Sequence, residues 1–242
     1  MATRRFEGLP QLLIGLVALA VAILIGALAV ASAVKTVKGS RDTITVTGSA
    51  KRPITADLVT WHLSVNSADS DPAAASRVLR INGDKVRRFL SAAGLEATEP
   101  PVATEEYAEK QGGVRVTVYR LTQDFDVTTK EIAKAEAAAG KVSTLFEQGI
   151  AVSANPLQYV STQLGEARIE ALKAATADAK RRAETLVEGL GGNLGAARRA
   201  DVGVFQITPR NSTEVSDYGI NDTSSPEKDV TAVVTITFAL AD

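Results

Sequence analysis

The stretch Leu58-Val59-Thr60-Trp61-His62-Leu63-Ser64-Val65 decides how this chain folds. Val59, Trp61, Leu63 and Val65 alternate with Thr60, His62 and Ser64. A period of two is the mark of a strand with one face on a core and the other toward water. Just before it, Thr43-Ile44-Thr45-Val46-Thr47-Gly48 alternates in the same way and predicts another strand, which Pro53 is expected to interrupt. Just after it, Asp71-Pro72 combines a capping carboxylate with a residue suited to the first helical turn. A helix is therefore expected to run to Ala93 and stop at Gly94, with Val78, Ile81, Val86, Phe89 and Leu90 as its apolar stripe. Gly83 lies inside that helix and costs about 1 kcal/mol relative to alanine.

Farther along, Val102–Tyr107 and Val114–Val127 flank the turn Gln111-Gly112-Gly113 and predict a β-hairpin. Lys130–Gln148 reads as one helix ending at Gly149. Ile150–Gln163 reads as strand, with Pro156 restricting it to a strand start, a bulge or an edge. Gly165–Leu190 is the longest helical pattern, with Leu172, Ala175, Ala179, Ala183, Leu186 and Leu190 as its seam. Val202–Ile207 and Val230–Leu240 close the chain as strands. The last is apolar on both faces, as a central strand is. The order ββ-α-ββ-α-β-α-ββ predicts an α+β fold: a mixed or antiparallel sheet covered by amphipathic helices.

The N-terminus differs in kind. No charged residue lies between Glu7 and Lys35. Leu12–Val34 has the length of a helix that spans a bilayer core of ~30 Å. That length favours a retained transmembrane anchor over a cleaved signal, although Ala29-Val30-Ala31 and Ala31-Ser32-Ala33 both fit small-residue cleavage sites. The expected organisation is a tail over 1–11, an anchor over 12–34, a linker over 35–42 and a folded domain over 43–242. Arg4 and Arg5 precede the span while Lys35, Lys38 and Arg41 follow it, so flanking charge leaves its orientation open.

Charge and composition exclude several functions. The chain has 27 basic and 28 acidic residues; residues 42–242 keep 22 and 27, a net of −5. A mildly acidic domain does not suit nucleic acid, which needs clustered Lys and Arg. With no cysteine, thiolate nucleophiles, disulfides and Cys-type zinc sites are excluded. His62 is the single histidine, and no Gly-x-Ser-x-Gly elbow or spaced ligand set accompanies it. Glu105, Glu106 and Glu109 form an acidic group on the hairpin, read as a solvated edge rather than a cation site. Gly189–Gly195 is glycine-rich but follows a helix, the reverse of a phosphate-cradling order. Asn211-Ser212-Thr213 and Asn221-Asp222-Thr223 fit the glycosylation sequon. No catalytic, metal or cofactor site is expected, and no cofactor.

Three groups of residues together resemble the SIMPL-domain family. Thr45–Ala50 with Ala56–Val59 is similar to its opening. Gly165–Leu172, Ala177–Glu184 and Gly191–Gly195 are similar to its long helix and glycine exit. Pro226-Glu227 with Val230–Leu240 is similar to its close. The resemblance implies a bacterial envelope protein, linked in some members to oxidative-stress defence, that assembles into ring- or channel-like homo-oligomers. It carries no catalytic residues over. The reading that results is non-enzymatic: a single-pass protein of the bacterial inner membrane with its domain on the extracytoplasmic, periplasmic side. Its expected partners are copies of itself and, through 12–34, the lipid bilayer. The alternatives are an envelope hydrolase or metal-dependent enzyme using His62 with Glu105–Glu109, and a periplasmic ligand-binding or holdase module.

Overall fold

The computed structural model describes residues 19–27 and 42–241. Residues 19–27 form a helix, α1. Then follow β1 (Thr43–Thr55), β2 (Leu58–Asp69), α2 (Pro72–Ala92), β3 (Ala97–Thr98), β4 (Ala103–Gln111) and β5 (Val114–Thr129). The rest is α3 (Ile132–Ala139), α4 (Ser143–Glu147), β6 (Val152–Ala154), β7 (Gln158–Val160), α5 (Leu164–Gly189), β8 (Asn193–Val202), β9 (Gln206–Pro209), β10 (Ile220–Asn221) and β11 (Glu227–Ala241). The α+β class holds, but there are two sheets rather than one.

The expected membrane span is corrected. The described helical part of Leu12–Val34 is residues 19–27, ~14 Å at 1.5 Å per residue, about half a bilayer core. Among the described residues no helix is long and apolar enough to cross a membrane. The remainder of that segment, the tail 1–11 and the linker residues 35–41 lie outside the described residues. The single-pass inner-membrane placement, its extracytoplasmic domain and the bilayer partnership through 12–34 have no support in the structure. The reading as an anchored, ring- or channel-like homo-oligomer, drawn from the anchor together with the family resemblance, loses its anchor and finds no support among the described residues.

The chain divides into two compact units. Unit 1 is Met1–Gly48, Thr176–Val202 and Val234–Asp242; unit 2 is Ser49–Ala175 and Gly203–Val233. In unit 1, β11 pairs antiparallel with β8 from Val234↔Val202 to Ala241↔Asn193, with irregularities around Phe238. β1 neighbours β11, where the hydroxyls of Thr45 and Thr237 lie 2.9 Å apart and those of Thr47 and Thr235 lie 3.0 Å apart. Val234, Ile236 and Phe238 are buried, as expected of a central strand. β8 escaped the sequence reading because it is an exposed strand carrying Arg198 and Arg199 instead of alternating apolar residues. The buried seam of α5 in this unit is Ala179, Ala183 and Val187, whereas Leu186 and Leu190 are exposed. β1 continues through Pro53 to Thr55, because it ends the strand order of its sheet, where a missing N–H is tolerated.

Unit 2 holds the six-stranded sheet, in the order β3-β5-β2-β6, with β4 also on β5 and β7 also on β2. β2 and β5 pair antiparallel over their whole overlap, from Val59↔Thr129 to Asp69↔Tyr119. Trp61, Leu63 and Val65 of β2 and Phe125 and Val127 of β5 bury their side chains against Leu79, Val86 and Leu90 of α2. Ala138, Leu145, Ile150 and Val152 complete this core.

Helix α2 starts as predicted, with the Asp71 carboxylate accepting from the Ala73 N–H at 2.9 Å. Its buried stripe is shifted to Ala75, Leu79, Gly83, Val86 and Leu90, leaving Val78 and Ile81 exposed. The small residues at 75 and 83 let the helix approach the sheet closely, and Ser67 of β2 donates to the Ala75 carbonyl at 2.6 Å. The helix expected over Lys130–Gln148 is broken after Gly140 into α3 and α4. The Lys141 N–H turns back to the Ala138 carbonyl there.

Two glycines test the packing in opposite directions. A Cβ on Gly83 would stand 3.7 Å from Phe125 Cζ, ordinary contact distance. Gly83→Ala should therefore raise stability by about 1 kcal/mol and Tm by about 2–4 °C in a thermal melt. A Cβ on Gly195 would meet the Ala239 carbonyl oxygen at 2.8 Å. Gly195→Ala should lower Tm in the same assay, since backbone must move to admit it.

Candidate functional site

Directly opposed residues of an antiparallel pair share a face. The register of unit 2 therefore builds a second surface behind the core. His62 stands opposite Asp126, Thr60 opposite Thr128, Ser64 opposite Asp124 and Asn66 opposite Thr122. Thr98 of β3 extends the first row, Gln158 of β7 the second and Ser153 of β6 the third. These side chains are hydroxyl, amide, carboxylate and imidazole, and every one of them is partly or fully exposed.

A notch opens beside this face. β6 and β7 are separate three-residue strands, and Asn155, Pro156 and Leu157 lie between them opposite the middle of β2. Proline has no N–H to donate, so the ladder breaks there. The Asn155 N–H still reaches the His62 carbonyl at 2.9 Å, and the Trp61 indole N–H donates to the Asn155 carbonyl at 2.9 Å. The result is a cleft of about 280 Å³ whose walls include Thr60, His62, Asp126, Thr128, Asn155 and Gln158. At its edge His62 Nδ1 lies 2.8 Å from Asp126 Oδ1, and Nε2 lies 3.6 Å from Asp124 Oδ1.

The wall formed by β7 is held from behind. The Tyr159 N–H donates to the Thr223 carbonyl at 2.7 Å, and its hydroxyl donates to Glu136 Oε1 at 2.8 Å. Burial and the Glu136 carboxylate together raise the Tyr159 hydroxyl above its usual range. The loop that carries Thr223 is fastened by Lys228, whose ammonium donates to the Asp222 carbonyl at 2.5 Å and to Oδ2 at 3.0 Å. Both side chains are nearly sealed from water, 3% exposed for Lys228 and 9% for Asp222. The same carboxylate accepts from the Ser224 hydroxyl at 2.6 Å and from the Ser224 N–H at 3.0 Å. Burial raises the Asp222 carboxyl, but these bonds and the Lys228 charge outweigh it and hold the group down at about 2. Asp57 anchors the entry to α5 by accepting from the Thr162 hydroxyl and N–H, which keeps it below the usual carboxylate range.

The other residues singled out in the sequence stay apart from this cleft. Glu105 opposes Arg120 and pairs with it at 3.1 Å, six residues along β5 from Asp126 and so ~20 Å away. Glu106 is its immediate neighbour on β4, so it points to the opposite face. This removes the alternative of a hydrolase or metal enzyme joining His62 to Glu105–Glu109. Among the described residues no group of three or more His, Cys, Asp and Glu side chains suits a metal ion. Gly191, with φ +79°, and Gly192 stop α5 through N–H bonds to the Glu188 and Val187 carbonyls. Asn211 occupies a positive-φ turn at +63°, and Asn221 lies in β10.

A family model described as SIMPL, a protein of unknown function (DUF541), matches residues 44–238. The chain belongs to the SIMPL family. Among curated proteins no relative matches it. Of solved structures, a proposed aminohydrolase from methicillin-resistant Staphylococcus aureus is similar at 16% identity, over 55% of this chain and 39% of that one, with a TM-score of 0.23. The ligand-free regulatory subunit of aspartate kinase from Thermus thermophilus is similar at 14% identity, over 78% and 88%, with a TM-score of 0.20. At those TM-scores neither likeness bears on fold or activity.

The buried Lys228–Asp222 pair yields a prediction. Lys228→Met leaves a buried carboxylate without its counter-charge and should cost about 3–5 kcal/mol in urea denaturation. Adding Asp222→Asn should recover part of that loss. The depressed Asp222 pKa contributes about 2 kcal/mol above the ordinary carboxyl value near 3.8. That contribution should vanish as pH falls through about 2, so the stability gap between the native chain and Asp222→Asn should narrow over that window.

Proposed function

We propose that this SIMPL chain is a non-catalytic recognition domain that binds a small polar ligand in the cleft beside His62. In this reading the functional domain is residues 43–242, which the family match over 44–238 supports. The observation that carries it is the juxtaposition of three successive polar rows of the sheet with a ~280 Å³ notch at Asn155-Pro156. A cleft bordered by hydroxyls, amides and a carboxylate offers donors and acceptors at fixed strand positions, as small-ligand sites do. The core on the opposite side of the same strands holds those positions rigid.

The connection to oxidative-stress defence implied by the family resemblance is retained as part of the proposal, acting through binding. With no cysteine and one methionine, the chain has few side chains of its own for redox chemistry. Cells lacking the chain should lose survival in peroxide, and Asp126→Asn should not restore it; equal survival without the chain would remove that part of the reading.

Binding itself is tested by amide NMR on the full chain with millimolar sugars, amino acids and polyamines. At least one class should move the signals of Thr60, Thr128 and Gln158 together, and Asp126→Asn should weaken that response. Perturbations confined to other strands, or none from any class, would sink the proposal.

A further inference from the structure

The two nitrogens of His62 face two different carboxylates, and the distances are unequal. The contact of 2.8 Å between Nδ1 and Asp126 Oδ1 is a hydrogen bond, which requires the proton on Nδ1. In the neutral ring Nε2 is then a lone pair, and it faces Asp124 Oδ1 at 3.6 Å. Two acceptors facing each other at that distance call for a donor between them. A nitrogen about 2.9 Å from each, at the apex of a triangle on that 3.6 Å base, lies within hydrogen-bond distance of both.

Charge selects which donor. Asp124 and Asp126 bring two carboxylates against one imidazole, so the site is negative in either state of the ring. The neighbours on this face, Thr60, Ser64, Thr98, Ser153 and Gln158, bring no charge from β2, β3, β6 or β7. Among the described residues no group of His, Cys, Asp and Glu side chains, this one included, has the arrangement to hold a metal ion. Access is open, because the His62, Asp124 and Asp126 side chains are 41%, 32% and 48% exposed.

We propose that the polar sheet face at the edge of the cleft takes a primary ammonium group, held by His62 Nε2 and the Asp124 carboxylate while Asp126 fixes the ring. This rests on the cleft and the face beside it being a ligand site and names the chemistry of the ligand. The group can belong to a free amine or to a lysine side chain of a peptide.

The single histidine gives one imidazole signal to follow by NMR in the full chain. Methylammonium, cadaverine and Nα-acetyl-lysine amide should each shift the His62 signal saturably. The tighter of the last two identifies the source. Tetramethylammonium, with the charge but no N–H, should not. Asp124→Asn should weaken methylammonium roughly tenfold with the fold unchanged. Equal response to tetramethylammonium, or an unchanged Asp124→Asn, overturns the proposal. If glycerol or a sugar moves Thr60 and Gln158 while methylammonium leaves His62 still, recognition stands and the ammonium is wrong. If no probe moves either set, both are wrong.

Discussion

The register that places Leu63 opposite Phe125 also places His62 opposite Asp126. Unit 2 depends on that one alignment. Strand side chains alternate with a period of two, so a slip of a single residue would turn Trp61, Leu63 and Val65 to water and bring His62 and Ser64 into the core. The cost of exposing three large side chains, at about 1.5–3 kcal/mol each, excludes such a slip. The polar surface thus inherits its geometry from the apolar one. The core acts as the template, and the cleft residues are carried on the reverse side of the same backbone.

The supports around the cleft differ in strength for a physical reason. Pairs such as Arg120–Glu105 and Arg52–Glu170 are half exposed, and solvent screens them to a fraction of a kcal/mol. Lys228 and Asp222 are nearly sealed, so their pairing must be complete or the loop cannot close. Completeness is what the structure shows, with Ser224 and Ser225 bonding the carboxylate alongside the lysine. Through Thr223 and Tyr159 that loop fixes β7, and with β7 the Gln158 side of the cleft. A charge pair in the interior therefore shapes a surface it does not touch.

Alternation alone determined β2, β5 and the central character of β11, because period-two burial is written directly in residue order. Local chemistry determined the start of α2 at Asp71-Pro72, the end of α5 at Gly191-Gly192 and the break at Pro156, since each acts on the backbone within a few residues. The family was also legible, from the order of short motifs along the chain. Apolarity over Leu12–Val34 was legible too, but a spanning helix was not, and none is found among the described residues. Tertiary structure alone decided the rest. Which stripe of α2 is buried was decided by its packing on β2 and β5, where Leu79, Val86 and Leu90 meet Trp61, Leu63 and Phe125. Asp124 and Asp126 became partners of His62 only through pairing with a strand some sixty residues away. Lys228 gained its role from a loop closing on it. Residue order specifies what each segment wants to bury or expose; which segments meet is settled only when the whole core is packed at once.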